Sequence, residues 1–100
     1  NGEIMYAVVR HYSGSGASEV FDAIEAKQEE VEKLIREVSG LVSYSLIRTA
    51  DGGASVTVCQ DKAGADESVR LAAEWIRANV NASPNPPAIL EGTTIVQISS

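Results

Sequence analysis

Val38-Ser39-Gly40-Leu41-Val42-Ser43-Tyr44-Ser45-Leu46-Ile47-Arg48-Thr49-Ala50-Asp51-Gly52-Gly53-Ala54-Ser55-Val56-Thr57-Val58-Cys59-Gln60 decides the fold. It reads as a helix end, a glycine stop, a strand, a tight turn and a second strand. Gly40 falls where a helix C-cap needs a positive φ, which glycine adopts without a Cβ clash. Asp51-Gly52 signals a two-residue hairpin loop, because both central positions of a type I′ turn need φ > 0. A hairpin alone is marginal in water, so the flanking elements must cover it.

Before this stretch, Ile4 to Tyr12 is β-branched and aromatic, as a strand requires. Its alternating faces are Met5/Ala7/Val9/His11 and Ile4/Tyr6/Val8/Arg10/Tyr12. Both are largely apolar, which predicts a sheet covered on both sides. Met5 is read as the native start and residues 1–4 as a remnant before it. Ser13 to Ala17 is a flexible loop without the glycine spacing of a phosphate cradle. Ser18 is placed as an N-cap, with Glu19 and Asp22 near the positive end of the helix dipole. Val20, Phe21, Ile24, Gln28, Val31, Leu34, Ile35 and Val38 recur at helical spacing and predict one helix to Val38. Its opposite face carries the i,i+4 pairs Glu29–Lys33 and Glu32–Arg36, as a solvated surface does.

After the hairpin, Asp61 to Ala65 reads as a loop and about Asp66 to Val80 as a second helix. Its stripe is Val69, Ala72, Ala73, Ile76 and Val80, and Trp75 lies roughly 120° from the stripe's centre. A Trp there must touch another element, a partner chain or a ligand. Residues 81–87 hold three prolines and two asparagines and form a loop before the last strand. That strand is expected over Ala88 to Ile98, clearest from Thr93 to Ile98, with a bend or bulge at Gly92.

The order β-α-β-β-α-β is the ferredoxin-like α+β arrangement, a four-stranded antiparallel sheet with two helices on one face. Since the strands are apolar on both faces, the second face is expected to pack against the same face of another subunit, giving a homodimer. One hundred residues at 44% hydrophobic content suit a single domain over 1–100. A net charge of −6 and a pI near 4.6 argue against nucleic-acid binding. No apolar run is long enough to span a membrane. No basic start leads into a long apolar stretch, and Cys59 is the single cysteine; both point to a reducing cytoplasm.

Three segments in this order of elements, Met5-Tyr6-Ala7-Val8-Val9-Arg10, Leu34-Ile35-Arg36-Glu37-Val38-Ser39-Gly40-Leu41-Val42-Ser43-Tyr44 and Ala72-Ala73-Glu74-Trp75-Ile76, carry a likeness. The chain resembles the antibiotic biosynthesis monooxygenase-like proteins of the dimeric α+β barrel superfamily. The resemblance implies a homodimer whose two sheets form a barrel, with a pocket in each subunit between sheet and helices. Members include cofactor-free monooxygenases acting on quinol- or anthrone-like aromatics, haem-degrading enzymes, and proteins without known activity. The haem-degrading branch uses an Asn on the first strand, a Trp, and a His after it. Trp75 matches the Trp, but the first strand has no Asn and no His follows Trp75, which disfavours haem breakdown. The anthrone-oxidising branch carries an Asn one helical turn before its Trp; here that position is Leu71, and Asn79 lies one turn after.

Two readings of function follow. In the first, the chain is a small monooxygenase-like enzyme oxidising an aromatic substrate without cofactor or metal. His11 is the catalytic base or polarising group, Trp75 the stacking wall, and Tyr44 or Arg48 the polar anchor for a small aromatic ligand. In the second, the same pocket serves a non-catalytic ligand-binding or dimerisation module. A roomy pocket lined by His11 and Trp75 would favour the first reading, and a closed or wholly apolar one without His11 the second. Arg10 and Arg48 each either bind an anionic group or cover a strand edge, and the second role is expected. Cys59 has no neighbouring cation in sequence and reads as an inert buried thiol.

Overall fold

A computed structural model describes residues 4–99, so residues 1–3 of the expected remnant lie outside it. The chain runs β1 (Tyr6–Ser13), α1 (Ala17–Ala26), α2 (Gln28–Ile35), β2 (Leu41–Thr49), β3 (Gly52–Cys59), α3 (Lys62–Asn79) and β4 (Ala88–Thr93). The strands form one sheet in the order β2-β3-β1-β4, every pairing antiparallel. This is the expected α+β ferredoxin-like fold.

The first helix is broken rather than continuous, so three helical segments cover the sheet instead of two. Lys27 takes φ −130° and ψ 41° between α1 and α2. The apolar stripe has a gap there: after Ile24 the next helical-phase positions are Lys27 and Gln28, so nothing anchors the middle of a straight helix to the sheet. Each half buries its own anchors, Ala17, Val20 and Phe21 from α1, Val31 and Ile35 from α2. Glu29 and Glu30 then occupy the first turn of α2, where the helix dipole favours negative charge.

Other boundaries also differ from expectation. The N-cap of α1 is Gly16, at φ 82°, not Ser18. α3 begins four residues early because Asp61 caps it, its carboxylate accepting from the Gly64 N–H at 3.0 Å. The hairpin forms, but its loop is Ala50-Asp51, since Thr49 pairs with Gly52. No residue other than glycine has a positive φ among those described, so the turn is not type I′. Gly40 does take the expected positive φ of 74°. β4 ends at Thr93, and the stretch read as its clearest part leaves the sheet with Ile95, Val96 and Ile98 exposed. Its β-branched residues have no strand beside them to pair with, and propensity alone does not make a strand. The register irregularity lies in β2, between Leu41 and Ser43, not at Gly92.

The helices cover the face presenting Val8, Arg10 and Tyr12 of β1, all buried. The register places Arg10 beside Ser55 and Tyr12 beside Gly53, while Tyr44 lies across from Thr57. Tyr12, Ala17, Val20 and Phe21 form the core, with the Tyr12 and Phe21 rings edge to face at 6.1 Å. The other sheet face carries Val9, flanked by Val56 and Leu90, and Leu90 is 73% exposed. No helix among the described residues is long and apolar enough to cross a membrane.

Candidate functional site

A partly open cavity of about 30 Å³ lies between the sheet and the helices. Its wall is apolar, with Ile24, Val31, Leu34 and Ile35 from α1 and α2 and Ala72 and Ile76 from α3. Its polar residues are Arg10, Tyr12, Tyr44, Ser55 and Trp75. The strands alone bring the first four together: Arg10 and Tyr12 are two apart on one face of β1, and β3 and β2 set Ser55 and Tyr44 beside them. The cavity adjoins a surface groove of about 400 Å³ that shares Ile24, Val31, Tyr44 and Leu46 with it. Glu25, Gln28 and Arg48 line this outer groove, and Gln28 begins α2, so the helix break sits at its rim.

Behind one end of this apolar surface the polar groups are packed around Arg10, which is 2% exposed. Its Nη1 donates to the Tyr12 hydroxyl at 3.1 Å, and its guanidinium carbon lies 5.9 Å from the Tyr12 ring centre. Its Nε has no hydrogen-bond partner, nor do the buried hydroxyls of Ser55 and Thr57. Burial pushes the Tyr44 phenol above the ordinary 10.0, and the Arg10 charge opposes that rise. Tyr44 is therefore neutral at physiological pH, a hydrogen-bond donor rather than a base.

The four residues singled out from the sequence are spread over different surroundings. Trp75 and Tyr44 line the cavity. The Trp75 indole N–H donates to Glu30 at 2.7 Å, which ties α3 to α2 and explains a Trp off the α3 stripe. Arg48 lies in the outer groove, where it donates to Asp22 at 2.9 Å and Glu25 at 3.0 Å. Two carboxylates already answer its charge, so it is a poor anchor for an anion. His11 does not line the cavity. It follows Arg10 on β1 and so projects from the opposite sheet face, exposed, with Nε2 3.7 Å from Asp51. A ligand in the cavity is out of its reach, and the role of base falls away from it in this pocket.

Arg10 is the residue that sequence reading undervalued, as a cover for a strand edge. β1 is an inner strand, and its Arg10 face lies under the helices. The signal was present in the strand pattern, where one charged residue stands between Val8 and Tyr12 on an apolar face of a sheet expected to be covered twice. Among the described residues no cluster of three or more His, Cys, Asp or Glu side chains is placed to hold a metal ion.

No protein-family model matches the chain, and neither does any curated protein. Solved structures do match. A protein of unknown function, NE2512 from Nitrosomonas europaea, aligns over 97% of this chain and 94% of its own at 14% identity and TM-score 0.67. The ActVA-Orf6 monooxygenase of Streptomyces coelicolor, solved with Nanaomycin D, aligns over 96% and 91% at 22% identity and TM-score 0.57. SnoaB, a cofactor-independent oxygenase from Streptomyces nogalater, aligns over 98% and 97% at 14% identity and TM-score 0.55. At these identities the likeness is one of fold.

Proposed function

We propose that this chain, which has the fold of the antibiotic biosynthesis monooxygenase-like proteins, oxidises an electron-rich aromatic substrate without a cofactor. The observation that carries the reading is a small apolar cavity with a guanidinium and two phenols packed behind one end of its wall. Such a reaction asks little of the protein. The substrate gives up a proton, and the resulting carbanion or phenolate reduces oxygen itself. For an anthrone-type carbon the balance is CH₂ + O₂ → C=O + H₂O, with all four electrons drawn from the substrate. Tyr44 donates a hydrogen bond to the substrate oxygen as charge builds there, and Trp75 stacks on the ring. The substrate's proton leaves through the groove to solvent. Because the cavity holds about 30 Å³, room for roughly one water, the aromatic ring enters by widening it toward the groove at the α1–α2 break.

Oxygen uptake with a panel of hydroquinones and anthrones tests this reading. Uptake above autoxidation should fall roughly 100-fold in Tyr44→Phe, the scale for one donor to a developing oxyanion, and should persist in His11→Ala. Collapse in His11→Ala instead would move the chemistry to the other sheet face. The cavity is small and apolar and lacks His11, the condition set above for the second reading, a ligand-binding module without catalysis. Ligand-induced thermal stabilisation with no uptake on any substrate would select it.

We further propose that a second copy of the chain packs sheet against sheet on the open face and that the chain works in a reducing cytoplasm, a reading that the open apolar face and the buried thiol of Cys59 support. Val9→Glu puts a charge at the centre of that face, where a monomer would tolerate it in water. Sedimentation at micromolar concentration should show a dimer for the parent chain and a monomer for the variant. A parent chain sedimenting at 10.6 kDa would refute the dimer.

A further inference from the structure

We propose that the cavity takes its aromatic ligand as an oxyanion, with the Arg10 guanidinium as counter-ion. The inference rests on reading the cavity as the ligand site, and adds the charge state that this site selects. Arginine stays protonated in proteins, so it cannot escape burial by losing its charge. A buried cation is normally matched by an acid, because an unpaired one forfeits its hydration with no return. Here the exposed arginines have their acids: Arg36 with Glu32, Arg48 with Asp22 and Glu25, Arg70 with Glu74. Arg10 forms no ion pair among the described residues. It meets only the neutral phenols of Tyr12 and Tyr44 and leaves Nε unpartnered.

Carboxylates are not scarce in this chain, with 14 Asp and Glu against 8 Lys and Arg. What surrounds Arg10 instead is uncharged: Tyr12, Tyr44 and the unpartnered hydroxyl of Ser55, directly across the sheet. Every one of these groups can donate, and none brings a negative charge. An oxygen anion on the edge of an aromatic ring satisfies them together, taking charge-assisted bonds from the guanidinium and neutral ones from the phenols. The apolar wall matches the rest of the ring. The same wall by itself would favour the neutral ligand, since desolvation penalises the charged form. The unpaired guanidinium behind the wall tips that balance to the anion once the widened cavity brings a ligand oxygen to it.

The probe is 4-nitrophenol, whose phenolate absorbs where the phenol does not, added to the full chain and titrated across pH. Quenching of Trp75, the only Trp, reports occupancy of the cavity. The bound phenol should ionise about one pH unit lower than the free phenol, a tenfold preference for the phenolate. In Arg10→Met that shift should vanish or reverse. A probe that quenches Trp75 yet ionises at or above its free pKa overturns the proposal and leaves the cavity as a neutral-ligand site. A lowered pKa that survives Arg10→Met overturns the assignment to Arg10. No quenching at any concentration removes the cavity as ligand site, and this proposal with it.

Discussion

Gly53→Ala is expected to lower the melting temperature by about 10 °C or more, although it adds one methyl group. Gly53 lies in β3 opposite Tyr12, under α1. A Cβ there would come 2.5 Å from Cε2 and Cζ of Phe21 and 2.6 Å from the carbonyl oxygen of Ile47. Backbone cannot yield on one side. On the other, the Phe21 ring is 3% exposed and held edge-on by Tyr12. Overpacking of this kind costs about 1–3 kcal/mol or more, and each kcal/mol moves the midpoint of a domain this size by about 4–8 °C. Gly92→Ala is the internal comparison. A Cβ at Gly92 meets nothing of its own chain within 4 Å, so the stability of the single chain should hold or rise by a few tenths of a kcal/mol through a less flexible unfolded chain. Equal melting temperatures for the two variants would contradict the packing of Phe21 on Gly53.

Arg10→Met is expected to behave differently, leaving the ligand-free protein at least as stable as the parent chain. Removing the guanidinium relieves a desolvation penalty of several kcal/mol for a buried ion with no carboxylate beside it. Against this stands the loss of one charge-assisted hydrogen bond to Tyr12, roughly 1.5–3 kcal/mol, and of a cation–π contact worth ~1 kcal/mol. Met fills a similar length of cavity with apolar atoms, so no large void opens. Thermal or urea melts read the result directly. A variant that is instead destabilised by several kcal/mol would mean that Arg10 holds the fold together and is not held in readiness for a ligand. A gain in stability coupled to a loss of anion binding is the pattern of a functional residue retained at a structural cost.

The fold was legible from local chemistry. Alternation in β1, the Gly40 stop, the hairpin and the two apolar helical stripes each encode an element within a few residues, and their order leaves few topologies. Where the reading slipped, the cause was non-local. The gap in the stripe at Lys27 and Gln28 became a break because the sheet anchors either side of it and nothing pulls on the middle. The loop at Ala50-Asp51 moved one residue from the Asp-Gly signal because Gly52 is taken into the sheet, paired with Thr49 and Ser13 and packed closely against Tyr12 and Ala17. Thr93 to Ile98 has strand composition, yet the chain leaves the sheet after Thr93, where no neighbouring strand continues beside it.

The candidate site divides the same way. The sequence by itself determined that Trp75 sits off the α3 stripe, that Tyr44 enters β2 after the glycine stop, and that Arg10 and Tyr12 share a strand face. Only the tertiary structure decided which face of β1 lies beneath the helices. That choice turns on which side of the sheet the crossovers pass, and both faces of β1 are apolar enough for either. It placed Arg10 in the cavity and sent His11, one residue further on, to the other side. It also decided that Arg48 meets two carboxylates while Arg10 meets none, because charge pairing across 23 to 26 residues of chain depends on how α1 docks against β2 and on no local pattern.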